Sequence, residues 1–161
     1  MLHKPAWVYS PNVRRKRMDI IPKTNTFEIS LDDHERLKGL YPNMGKNTHI
    51  GNRAVEIVKL FVLSFYPSAT FSKKNKKGTD LTIINNGVEF QFEIKGTAEA
   101  DISWNQLRVS GKPSHDALIA GMQLIRVSNV GEQTVTINFL KYGEDFLTEP
   151  EPRWTIKRIK K

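Results

Sequence analysis

At 161 residues, with a formal net charge of +8 and a sequence pI near 9.7, the chain fits one domain of ordinary size and favours a polyanionic partner. It contains no cysteine, which excludes a disulfide scaffold, thiol catalysis and a thiolate metal site. No stretch approaches the roughly 18 apolar residues of a membrane span, and the start lacks a signal peptide's apolar core, so the expectation is a soluble protein of the cytoplasm.

Residues 1–48 contain Pro5, Pro11, Pro22 and Pro42 without sustained periodicity and read as a basic arm or irregular subdomain, leaving 49–161 as the core domain. The run Arg14, Arg15, Lys16 and Arg17 suits a DNA backbone, a localisation signal or a solvated surface. A short helix with a Ser or Asp cap is predicted over 30–38. From Gly51 to Phe65, Val58, Phe61, Val62 and Phe65 recur at helical spacing, with Ile57, Leu60 and Leu63 between them, which predicts an interior helix. Glu56 near its start is either lifted out by the first turn or turned towards a site, because an unpaired buried carboxylate is costly. After Pro67, an edge strand is expected over 69–72. It leads into a loop holding Lys73, Lys74, Lys76 and Lys77, whose charge suits a phosphate backbone or simply protects a sheet edge.

The next segment, 80–95, reads as two strands around Asn86-Gly87, the strongest short-range signal for a type I′ hairpin. With those two residues as the loop, Asn85 faces Val88 and Asp80 falls opposite Glu93. Leu81, Ile83, Val88, Phe90, Phe92 and Ile94 then share one face, and Asp80, Thr82, Glu89, Gln91, Glu93 and Lys95 the other. Only Ile84 breaks the pattern. Further on, Ser103 is expected to cap a short helix carrying Asn105, Gln106 and Arg108, limited by Pro113. A buried strand is predicted from Gln123, and an alternating one over 134–140. The tail opens acidic, with Glu144, Asp145, Glu149 and Glu151, and ends basic; Trp154 and Ile156 are expected to pack on the body.

Two carboxylates directly opposite on a sheet repel, so Asp80 and Glu93 call for a compensating cation. Oxygen ligands with room for waters and a phosphate suit Mg²⁺ or Mn²⁺ rather than zinc. Lys95, on the same face, is placed to hold or deprotonate a water, or to neutralise charge on a phosphoryl oxygen. The implied reaction is phosphodiester hydrolysis. His49 is too isolated for a metal finger, and His115-Asp116 lacks a partnered serine. Ser110-Gly111-Lys112 and Gly51-Asn52-Arg53 lack the spacing of a phosphate-binding loop, so no nucleotide cofactor is expected.

The G-T-D and E-I-K-G-T segments at Asp80 and Glu93-Ile94-Lys95-Gly96-Thr97 resemble the PD-(D/E)XK nuclease superfamily, with its restriction-endonuclease-like fold. The likeness covers roughly 51–127, with Thr79 standing where the named motif has proline. It implies an α/β core with a mixed central sheet flanked by helices, and Mg²⁺-dependent cleavage of DNA, often by a homodimer. Asp80 and Glu93 take the metal-binding positions, the Ile94 carbonyl is a further ligand and Lys95 positions the water. Glu56 matches the acid of the preceding helix and Gln106 the glutamine of the following one. Restriction, defence or mobile-element cleavage of duplex DNA, junction or repair cleavage, and a non-catalytic DNA-binding subunit all remain open from the sequence.

Overall fold

The computed structural model describes Met18 and residues 20–160, so the run Arg14 to Arg17 lies outside the described residues. Strand β1 (Thr24–Glu28) is followed by helices α1 (Leu31–Leu40) and α2 (Asn47–Phe65) and a two-residue strand β2 (Thr70–Phe71). Then come β3 (Leu81–Asn85), β4 (Val88–Gly96), a 3-10 turn at Trp104–Gln106, α3 (Lys112–Ile119), β5 (Gln123–Ser128) and β6 (Thr134–Leu140). Among the described residues, these six strands join one sheet in the order β1-β6-β5-β4-β3-β2. β4 and β5 run parallel and the other neighbours antiparallel, so the protein is α/β with a mixed sheet.

Local chemistry accounts for the helices. Ser30 caps α1 by accepting the Asp33 N–H at 3.2 Å, and Asp32 and Asp33 in the first turn complement the helix dipole. α2 starts a turn earlier than its apolar periodicity announces, because Asn47, Thr48 and His49 carry no apolar signal. It buries Ala54, Ile57, Val58, Phe61 and Val62 against the sheet. Its depth is set at Gly96, where a Cβ would lie 2.8 Å from the Ala54 Cβ and 3.0 Å from the Ile50 carbonyl. The helix therefore lies on the face shared by Phe92, Ile94 and Gly96, the apolar side of the hairpin.

The parallel β4–β5 pair requires a crossover. Residues 97–122 supply it on the opposite face, where Leu118 meets Leu124 and Leu140 in a second, smaller core. Pro113, expected to limit a helix before it, instead sits in the first turn of α3, where its missing N–H costs nothing. The Asn86-Gly87 turn forms as predicted, with φ of 50° and 74° at its two residues.

Two regions differ from the sequence expectation. The segment expected as an arm or irregular subdomain supplies, from Thr24 onward, an edge strand paired with β6, while the helix predicted over 30–38 forms and buries Leu37. Five residues beside Pro22 were too short a signal for a strand that exists through its partner. Trp154 and Ile156 do not pack on the body but stand 92% and 97% exposed. Pro150 and Pro152 stiffen the chain just before them and carry it away. Among the described residues, no helix is long and apolar enough to cross a membrane.

Candidate active site

The hairpin register follows the turn: Asn85 pairs with Val88, and the ladder runs to Leu81 opposite Phe92. There the strand ends one residue short of Asp80, whose backbone bends. The Asp80 N–H donates to the Phe92 carbonyl at 2.9 Å, and its side-chain Oδ2 accepts the Ile94 N–H at 2.9 Å. Asp80 thus grips the residues on either side of Glu93, which places the two acids side by side. Asn75, in the lysine loop, holds the bend: its Nδ2 donates to the Asp80 carbonyl at 3.0 Å and its Oδ1 accepts the Thr82 N–H at 2.9 Å.

Asp80 is exposed, whereas the Glu93 side chain is only 5% exposed. The parallel register explains the burial, because Glu93 stands beside Leu124, a member of the second core. Glu93 Oε1 lies 3.1 Å from Lys95 Nζ, while Oε2 is buried with no hydrogen-bond partner. Burial pushes the Glu93 carboxyl above the usual carboxylate range, the neighbouring Asp80 charge adds to the rise, and Lys95 opposes it.

Further along the same face, Thr97 is buried and its hydroxyl donates to Gln106 Oε1 at 2.8 Å. This contact ties the 3-10 turn to β4 and leaves Gln106 on the site side of the sheet. The turn is also clamped from β5. Arg126, 2% exposed, pairs with Lys95 in register, and its guanidinium donates to the carbonyls of Ile102 at 2.7 Å, Gly96 at 3.0 Å and Ser103 at 3.4 Å. Burial lowers the Arg126 pKa and Asp101 opposes the drop. Ser128 adds a bond to the Asp101 carbonyl at 2.8 Å.

The structure therefore brings Asp80, Glu93 and Lys95 together, with Gln106 held nearby through Thr97. Glu56 is engaged elsewhere. It sits on α2, which covers the other face of the sheet, and its Oε1 lies 3.1 Å from Lys59 Nζ. Lys59 in turn stands 5.7 Å from the Phe71 ring centre, towards the β2 edge. Arg108 closes its own turn, donating to the carbonyls of Asn105 at 2.8 Å and Leu107 at 2.9 Å, and pairs with Glu151. Lys73, Lys74, Lys76 and Lys77 are exposed in the loop before Asp80. That loop is anchored at Gly78, where φ is +87° and a Cβ would fall 2.7 Å from the Pro113 backbone.

Asn75 and Arg126 are site-shaping residues that the sequence reading passed over. Arg126 had a signal, a lone guanidinium inside the apolar run Leu124-Ile125-Arg126-Val127, which demands buried acceptors. Asn75 had none, being one polar residue in a polar loop. His49 and His115 have local structural contacts: His49 Nδ1 accepts the Asn43 N–H at 3.1 Å, and His115 Nε2 lies 2.9 Å from Thr148 Oγ1.

A divalent cation fits the donor chemistry of this pair. Two neighbouring carboxylates, one with a desolvated and unpartnered oxygen, form a hard-oxygen set whose charge needs compensation. Among the described residues, no group of three His, Cys, Asp or Glu side chains is placed to hold a metal ion, so any such ion must draw its other ligands from backbone, water or substrate oxygens. Fold and site together define an α/β protein with a carboxylate pair and a lysine at the end of a hairpin in a mixed sheet. Comparison with models of protein families, with curated proteins and with solved structures returns no match.

Proposed function

We propose that the chain is a metal-dependent endodeoxyribonuclease with a restriction-endonuclease-like core, hydrolysing phosphodiester bonds in duplex DNA. The observation that carries the reading is the seating of Asp80 on the Ile94 amide, beside a buried Glu93 with one orphaned oxygen and Lys95 at 3.1 Å. Asp80 and Glu93, with the Ile94 carbonyl, would hold Mg²⁺ or Mn²⁺. Such an ion, when bound, polarises a phosphoryl oxygen and lowers the pKa of a bound water.

The chain's own groups do the rest. Lys95, 27% exposed, reaches solvent on one side and Glu93 on the other, so its ammonium orients an attacking water and neutralises charge developing on a non-bridging oxygen. Gln106 is exposed and its oxygen is engaged by Thr97, so its N–H₂ would serve a neighbouring phosphate. The lysines at 73, 74, 76 and 77 offset the repulsion between the acidic pair and a polyanion. Their segment bends directly into Asp80 through Asn75, which couples backbone capture to the acid's position.

The test is incubation of the purified protein with supercoiled plasmid, a four-way junction and single strands, each with Mg²⁺ or chelator, alongside Asp80→Asn and Lys95→Ala. Metal-dependent nicking or linearisation of the plasmid, lost in both folded variants, supports the reading. Cleavage of the junction alone moves the substrate to branched DNA. DNA binding that is unchanged in chelator, with no turnover on any substrate, identifies a docking subunit instead.

A further inference from the structure

The described chain ends in an arm that the body does not use. Trp154, Ile156 and Ile159 are 92%, 97% and 86% exposed, and Lys157, Arg158 and Lys160 are exposed among them. Among the described residues, 154–160 belong to no helix or strand, and no carboxylate pairs with Lys157, Arg158 or Lys160. Arg153 differs, since its Nη2 lies 2.8 Å from Glu151 Oε2. The arm therefore carries cations without counter-charges and large apolar side chains without packing, on a bare backbone, and the two together mark a binding surface.

Its root is fixed. Thr148 Oγ1 lies 2.9 Å from His115 Nε2, and Glu151 pairs with both Arg108 and Arg153. Arg108 follows the 3-10 turn that ends at Gln106, so the arm departs beside the candidate site. Fully extended, residues 154–160 reach about 24 Å, the length of roughly seven base pairs.

The order of the side chains decides between partners. A period of two places Trp154, Ile156, Arg158 and Lys160 on one side of an extended chain and Thr155, Lys157 and Ile159 on the other. Helical winding also leaves Trp154 away from the two isoleucines, so neither form gives the one apolar face that a lipid surface takes. A single strand calls for successive aromatic platforms, and 154–160 holds one aromatic residue. The ribbon instead carries apolar and cationic groups on both sides, which suits a narrow polyanionic cleft with two walls. The minor groove of duplex DNA, roughly 6 Å wide, is such a cleft. It admits one extended backbone, whose neighbours in a sheet lie about 4.8 Å away, and not a helix about 10 Å across.

We infer that residues 154–160 form a DNA-binding arm that lies in the minor groove beside the cleavage site. Ile156 and Ile159 meet opposite walls, Lys157, Arg158 and Lys160 reach flanking phosphates, and Trp154 packs at the mouth. The arm supplies affinity and orientation and takes no part in the chemistry. The inference rests on the reading of DNA as substrate, but not on the metal site. Binding measured in chelator separates the two: no DNA binding by the native chain removes both, whereas binding indifferent to the arm removes this one alone.

Fluorescence anisotropy with a labelled duplex, in chelator, tests it on the full chain beside Lys157→Gln/Arg158→Gln/Lys160→Gln and Ile156→Ser/Ile159→Ser. Both sets of changes lie outside the packed body, and circular dichroism checks the folding of each variant. The charge variant is expected to bind at least about tenfold more weakly at about 0.1 M salt, with a slope of log K against log salt shallower by roughly 3. The isoleucine variant is expected to bind more weakly with its slope unchanged. Replacing guanine by inosine removes the minor-groove amino group and leaves the major-groove edge as it was. That exchange is expected to tighten binding by the native chain about threefold or more and to leave the charge variant's affinity unchanged. Equal affinity and slope in the native chain and the charge variant overturn the inference. So does arm-dependent binding that ignores the inosine exchange, that prefers a single strand, or that is found with vesicles of an acidic phospholipid in place of DNA.

Discussion

Replacing Glu93 by glutamine is expected to stabilise the protein in chelator at neutral pH while destroying its capacity for metal. The structure sets three opposing effects. Removing the charge relieves the desolvation of a side chain that is 5% exposed and ends its repulsion by Asp80. Against this, Lys95 loses its partner, but that side chain is 27% exposed and an ion pair reaching solvent contributes only about 0 to 1 kcal/mol. The desolvation of a buried carboxylate amounts to several kcal/mol and is partly recovered through Lys95, so the net gain is about 1 to 2 kcal/mol. For a chain of this size that is a rise in Tm of roughly 2 to 8 °C. The pH dependence carries a second signature. The folded pKa of Glu93 lies above its unfolded value, so the folded state binds the proton more tightly and the native protein loses stability as pH rises from the unfolded value through the folded one. Below that window the native protein and Glu93→Gln converge, and above it they separate to the full difference. Thermal unfolding followed by circular dichroism, in chelator across this range, is the assay. A Gln variant less stable at neutral pH, or a gap that does not close in acid, would refute the claim that burial and Asp80 disfavour the Glu93 charge more than Lys95 favours it.

Three further outcomes follow from the packing. Gly96→Ala drives a methyl into Ala54 and the Ile50 carbonyl, at 2.8 and 3.0 Å, and is expected to cost about 1 to 3 kcal/mol in chemical denaturation by lifting α2 from the sheet. Arg126→Met leaves the carbonyls of Gly96, Ile102 and Ser103 without their donor, at a cost of about 2 to 4 kcal/mol, and limited proteolysis should then cut within 97–106 before the rest of the chain. Asn75→Ala removes two bonds from the bend at Asp80; it should lower stability by about 1 to 2 kcal/mol and weaken Mn²⁺ binding about tenfold, a result that Asn75→Asp would not rescue, since a carboxylate cannot donate to the Asp80 carbonyl.

How much was legible in the sequence depends on how local the information was. The hairpin from Leu81 to Gly96 carries its own register in Asn86-Gly87 and in its alternation, and the pairing in the structure is the one those residues dictate. Helix α2 and strands β5 and β6 were readable for the same reason, through periodicity and apolar runs. β1 was not, since its five residues owe their conformation to pairing with β6, more than a hundred residues away. The contacts that shape the candidate site follow the same division. Asp80 beside Glu93 is a property of one hairpin, whereas the Arg126 clamp on the turn and the Asn75 clip on the bend join segments whose meeting no spacing announces. Glu56 shows the opposite hazard. An acid at a suggestive place on a helix was read towards the site, but the Gly96 contact fixes that helix on the other face of the sheet, where Lys59 supplies the partner.

Calorimetric titration of the protein with Mn²⁺, beside Asp80→Asn, tests most directly whether Asp80 and Glu93 form one divalent-cation site. The expected result is a saturable site in the native chain, with binding that weakens and releases protons as the pH is lowered into the range where Glu93 is protonated, and its loss in the variant. Equal binding by both proteins, or none by either, would contradict the account.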